Sequence, residues 1–207
     1  MVLRLAEALD LPLAERNHFL VQAGFAPRYP ARAWDDAAMA PIRAAVAHML
    51  DRHAPWPGIA IDRLWRVTDL NAPARALFGA FGVGVGGSIL DMMLSEALPT
   101  AVENWPQVAA HAARRLRTES AAQGGVAELD RAAERLAAAG ADVSPGAPVI
   151  PTVIRAGGAR LVLFATIAAF GTAEDVTLDA FRVELFFPGD DATATALRGL
   201  AAGATAG

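Results

Sequence analysis

The chain of 207 residues contains no cysteine. That excludes disulfide scaffolding and thiolate chemistry, and it is compatible with a reducing cytoplasm. Cationic excess is also lacking: 18 Lys and Arg stand against 22 Asp and Glu, so no basic face of the kind nucleic-acid binders display is expected. No apolar run approaches the roughly 18 residues needed to cross a bilayer. The N-terminal stretch "MVLRLAEALDLPLAERN" carries charges every few residues and is no signal peptide. Aromatic residues are sparse at 7%, whereas 54% of the chain is hydrophobic and rich in alanine, which suits helices around one sheet.

Recognised catalytic and ligating patterns are missing as well. His18, His48, His53 and His111 show no i, i+4 pairing on a helix and no acidic partners at metal-ligand spacing. No serine sits in a nucleophile elbow. Gly82, Gly84 and Gly87 match G-x-G-x-x-G, but the segment ahead of them reads as a helix. A dinucleotide loop needs a strand there, so a loop beside the sheet is expected. The acids of "FGTAEDVTLDAFRVELFFPGDDAT" are expected to act locally. Glu174 and Asp175 lie in a turn, and Asp190 and Asp191 are placed to cap a last helix. Glu184 should leave an apolar strand towards solvent or a neighbouring strand.

Periodicity supplies the rest. Helices are expected over Val2–Leu9, Leu13–Ala23, the segment after Asp35 and Asp36, Ala72–Phe78 behind an Asn71 cap, Ile89–Leu98, Trp105–Ala122 and Leu129–Ala139. Ile59 and Ile61, then Trp65, Val67 and Asp69, form a hairpin around Asp62 and Arg63. "GADVSPGAP" is a linker. Strands follow at Val149–Ile154, Leu161–Phe170 and Ala180–Phe187, with a turn at Gly157 and Gly158. One or two helical turns and a disordered Ala/Gly/Thr tail should close the chain. The economical solution is an α+β fold with one five-stranded antiparallel sheet and helices against a face.

Four segments resemble a known family. "LRLAEALDLPLAERNHFLVQAGFAPRYP" is similar to the last two helices and linker of a bacterial helix-turn-helix domain. "IDRLWRVTDLNAPARALFG", "VENWPQVAAHAARRLRTES" and the C-terminal "FGTAEDVTLDAFRVELFFPGDDATATALR" resemble the MmyB-like ligand-binding domain of xenobiotic-response-element-class regulators. The resemblance implies a PAS-like sheet over residues 31–190, behind a remnant of the DNA-binding domain at 1–30 and ahead of a short helix and flexible tail at 191–207. It also implies a cytoplasmic transcriptional sensor that is no enzyme and uses no cofactor or metal. Its ligand would be small and largely apolar, with fatty-acid-like molecules included. The family's recognition helix has no counterpart here, so DNA contact is expected only through helices ahead of Met1. A homodimer is expected, and a ligand-free dimerisation module is the alternative.

The lining expected for such a pocket is Phe81, Met92, Met93, Trp105, Phe164, Ile167 and Phe170, with His111 or Arg115 meeting a carboxylate end. Phe170, Phe181, Val183 and Leu185 would build the sensor core. A Phe164→Trp substitution is expected to fill the pocket.

Overall fold

The computed structural model describes residues 1–141, 149–156 and 158–204. Most of the "GADVSPGAP" linker, Gly157 of the expected turn and the last three residues lie outside the described residues.

Five antiparallel strands form one sheet. They are β1 (Gly58–Ile61), β2 (Val67–Leu70), β3 (Thr152–Ala156), β4 (Ala159–Ala168) and β5 (Arg182–Pro188). Their spatial order is β2-β1-β5-β4-β3, so the C-terminal strand lies at the centre beside the N-terminal hairpin. This is the α+β fold with one five-stranded antiparallel sheet expected from the sequence. Helices, however, cover both faces rather than one. Ile59, Ile61, Leu161 and Leu163 face one core with α4 (Ala72–Gly79), α7 (Trp105–Ala121) and α8 (Ala127–Ala139). Ala60, Phe181 and Val183 face a second core with α3 (Ala40–His53). β1 is therefore buried at all four positions.

Small residues allow the layers to close. An added Cβ at Gly58 would stand 3.0 Å from Leu50 Cδ2 and 3.3 Å from Leu185 Cδ2, so α3 settles on β1 only where no side chain intervenes. Asn71 fastens this corner. Its Oδ1 accepts from Gly58 N and Ala74 N, and its Nδ2 donates to Leu50 O and Trp56 O. One buried amide thus caps α4, as expected, and also ties α4 to β1 and α3.

The expected helix Ile89–Leu98 is two short ones, α5 (Ile89–Met93) and α6 (Ala97–Ala101). Ser95 Oγ turns back to Met92 O between them. A one-turn helix that periodicity does not reveal, α9 (Val176–Asp179), precedes β5. Asp175 caps it through Thr177 N at 2.9 Å. The last helix, α10 (Asp191–Ala204), runs for 14 residues rather than one or two turns. Asp190 Oδ1 accepts from Thr193 N at 2.7 Å, and Leu197 is buried where α10 packs on α4 and β4.

The N-terminal helices α1 (Val2–Ala8) and α2 (Leu13–Gln22) join the sheet through the same α9 segment. Leu13 N donates to Asp179 Oδ2 at 2.9 Å, and Arg32 Nη1 pairs with Asp175 Oδ2 at 3.0 Å. Val176 N donates to Pro30 O, and Asn17 Oδ1 accepts from both Arg28 N and Tyr29 N. Asp175 is thus a cap residue, as expected, and also anchors the linker, whereas Glu174 stands in the irregular segment before it.

Candidate functional site

A cavity of about 220 Å³ lies between α7 and the sheet. Phe78 and Phe81 close one end of it, Met92 and Met93 come from α5, and Ile154, Leu163 and Phe186 form its sheet wall. A strand with its alternate residues in a hydrophobic layer presents the others to the opposite face. Phe186 and Glu184 of β5 therefore meet the cavity, while Val183 and Leu185 pack in the core under α3.

The opening follows from strand lengths. β3 pairs with β4 only from Ala159 to Leu163, and beyond Leu163 β4 keeps β5 as its sole strand partner. There the sheet is one strand narrower. Ala165, Ile167 at 48% exposure, and His111 of α7 are the exposed members of the lining. Further along, Val102 bridges to Ile154, and Asn104 bonds to Pro151 O and Val153 N, so this loop covers the outer edge of β3.

One polar group of four residues borders the apolar lining. Arg115 Nε donates to Glu119 Oε1 at 2.7 Å, and its Nη1 donates to Glu184 Oε1 at 2.5 Å. The guanidinium lies 4.4 Å from the centre of the Trp65 ring. Trp65 Nε1 donates to Glu119 Oε2 at 2.6 Å. Arg115 Nη2 is shielded from solvent and has no acceptor among the described residues. Burial by itself would lower the Arg115 pKa, but the Glu184 and Glu119 carboxylates outweigh it and hold the group above its ordinary value.

Trp65 has a positive φ of 61°, an uncommon conformation for a bulky residue. Its neighbours enforce it. Asp62 Oδ1 accepts from Leu64 N and Arg66 N, Trp65 N donates to Asp62 O, and Ile89 N donates to Trp65 O. The hairpin turn thereby sets the ring over Arg115, beneath which the cavity opens.

The cavity brings together Phe81, Met92, Met93, His111, Arg115, Phe164 and Ile167 of the expected lining. Trp105 and Phe170 lie off it. Trp105 opens α7 in the same core, and Phe170 packs near Phe181 in the core under α3. Phe164 borders the cavity by its strand position only. Paired with Phe187, it stacks on that ring at 5.6 Å, on the sheet face away from the cavity. Phe181, Val183 and Leu185 likewise belong to the opposite core, not to the cavity wall. Glu184, expected to point towards solvent or a neighbouring strand, is only 8% exposed and turns inwards to Arg115. Sequence reading did not single out Glu119, Glu184 or Trp65 as site residues. The signal available was "RLRTE" on the central helix, which places Glu119 one turn after Arg115.

His111 is exposed at the mouth, yet partial desolvation of its ring against the cavity first, then the charges of Arg114 and Arg115, hold the imidazole below its usual pKa, with Glu184 opposing. The fold therefore favours the neutral ring. As pH falls through about 6.5 the unfolded chain gains a proton that the folded chain resists. The stability carried by His111 is present above that value and is lost as pH falls towards the folded value. The melting temperature is expected to drop between about pH 7 and pH 5.5, and His111→Asn should remove part of the drop. Parallel thermal melts of both proteins check this, and identical drops would exclude His111 as a contributor.

Among the described residues no group of three or more His, Asp or Glu is arranged to hold a metal ion, and no helix is long and apolar enough to cross a membrane.

A family model described as the MmyB-like transcription regulator ligand binding domain matches residues 42–200. No curated protein sequence matches the chain. Among solved structures the chain is similar to the PAS domain from Bordetella pertussis BvgS. The identity is 14%, over 80% of this chain and 98% of that one, with a TM-score of 0.38.

Proposed function

The chain belongs to the MmyB-like transcription regulator ligand-binding domain family, and from that premise we propose that its cavity takes a small, largely apolar molecule whose binding controls DNA attachment by a helix-turn-helix unit joined to α1 and α2. The carrying observation is the cavity itself. Its walls are mainly apolar, two methionines and Phe81 adapt its far end, and its mouth opens where β4 outruns β3. Benzene fits an engineered cavity of about 150 Å³, so a space of about 220 Å³ has room for a ring or a medium acyl chain.

A short connection supports control of the N-terminal helices. Glu184 meets the cavity, and two residues earlier Arg182 Nη1 donates to Asp179 O at 2.6 Å. Asp179 in turn holds the first residue of α2. A ligand that fits one arrangement of β5 better than another shifts the population of both. We assign the regulator to the cytoplasm, acting as a homodimer.

Native mass spectrometry of protein purified from cells, followed by denaturing extraction, tests this reading. One apolar molecule per chain is expected. An empty protein of dimer mass that also fails to bind the neutral fluorophore N-phenyl-1-naphthylamine would favour a ligand-free dimerisation module instead.

A further inference from the structure

The joint between the N-terminal helices and the sheet domain is narrow and polar. Leu13 N donates to Asp179 Oδ2, Arg32 N and Nη1 donate to Asp175, and Val176 N donates to Pro30 O. These bonds all land on α9 and its cap. The buried apolar side chains on the N-terminal side, Ala6, Leu13, Leu20 and Tyr29, belong to neither core of the sheet domain. A second space of about 220 Å³ lies in the joint, between Pro12 and Ala14 on one side and Gln123, Val176 and Arg182 on the other. Such a gap forfeits the dispersion contacts that a filled joint would make. The Arg32 side chain is 44% exposed, so water competes for its pair with Asp175.

Opening the joint leaves both parts intact. Asn17 folds the linker back onto α2, since its Oδ1 accepts from Arg28 N and Tyr29 N and its Nδ2 donates to Tyr29 O. Asp175 continues to cap α9 through Thr177 N when Arg32 leaves. The joint also shares a wall with the cavity. Glu119 borders the second space, while its two oxygens accept from Arg115 and Trp65, both of the cavity lining. Arg182 borders the second space too, two positions before Glu184 on β5.

We propose that residues 1–32 form one body that undocks from α9 while the sheet domain stays folded, the bonds on Asp175, Val176 and Asp179 being the contact that opens, and that occupation of the cavity shifts this equilibrium through Glu119 and Arg182. The coupling rests on the cavity reading above, and the undocking does not.

Amide hydrogen exchange of the whole chain, followed by NMR, tests both. Leu13 N and Val176 N report the joint, Leu20 N reports the interior of α2, and the amides of β1 and β5 report the sheet domain. Leu13 and Val176 are expected to exchange at least about a hundredfold faster than the slowest amides of β1 and β5, and faster than Leu20. Arg32→Ala combined with Asp179→Ala should speed Val176, whose own bond to Pro30 is untouched, by about tenfold and leave β5 unchanged. If that variant fails to fold, the unsubstituted protein still decides. Leu13 and Val176 exchanging only as slowly as β5 would mean that the joint opens on global unfolding alone and would overturn the inference. Leu20 keeping pace with Val176 would overturn it as well, because the N-terminal part would then melt rather than undock. Saturating N-phenyl-1-naphthylamine should change the Val176 rate by about threefold or more. A bound probe that leaves this rate unchanged would overturn the coupling with the cavity reading still standing. A probe that does not bind would remove the cavity reading and the coupling, and the exchange pattern would still decide the undocking.

Discussion

Arg115→Met is expected to lower the unfolding free energy by about 3–5 kcal/mol, the range found when one partner of a buried ion pair is removed. The side chain is only 17% exposed, and the Glu184 and Glu119 side chains are 11% and 21% exposed, so water cannot replace the lost cation. Methionine fills much of the same volume but leaves two carboxylates facing each other across the gap. Trp65 also loses its cation and keeps a backbone conformation whose purpose was to cover it. Charge removal should reverse most of the loss, so Arg115→Met with Glu184→Met is expected to regain stability beyond the sum of the single changes. Denaturant titrations of the four proteins give the coupling. A single-variant loss below about 1 kcal/mol would place the group with exposed surface pairs and would remove it as the organising feature of the cavity's polar end.

β5 alternates Phe181, Val183, Leu185 and Phe187 against Arg182, Glu184 and Phe186. Alternation identifies a strand and its two faces, but it does not say that both are covered. Helices lie on both faces here, so the mixed face is buried, and its carboxylate is neutralised by an arginine 69 positions away. No local pattern carries that pairing. Phe164 borders the cavity yet turns its ring to the other face for a related reason. β4 is apolar on both sides over much of its length, so spacing fixes its pleat without fixing which set of residues meets α7. Elements set by local chemistry were legible. The Asn71 cap, the hairpin turned by Asp62, the α7 helix and the capping acids at Asp175 and Asp190 each depend on neighbours in sequence. The α10 helix was underestimated because its Ala and Gly content resembles a tail, and only packing of Leu197 against the core makes a long helix there.

The pleat also relocates the substitution that should close the cavity. Phe164→Trp would enlarge a ring stacked on Phe187 behind the sheet and is expected to leave binding unchanged. Ala165 is the neighbouring position whose side chain shares a face with Phe186, its cross-strand partner and a cavity residue. It is exposed at the rim, so Ala165→Trp can enter the mouth without displacing packed core. The fold should hold within about 0.5–1 kcal/mol, as for surface changes. Binding of N-phenyl-1-naphthylamine should weaken by at least tenfold, because an indole across the mouth occupies the path and part of the space. Calorimetric titration against both variants separates the two residues. Equal binding by folded Ala165→Trp and the unsubstituted protein would mean that the probe sits elsewhere. Lost binding by Phe164→Trp with retained binding by Ala165→Trp would place the site on the α3 side of the sheet, among Phe187, His53 and their neighbours.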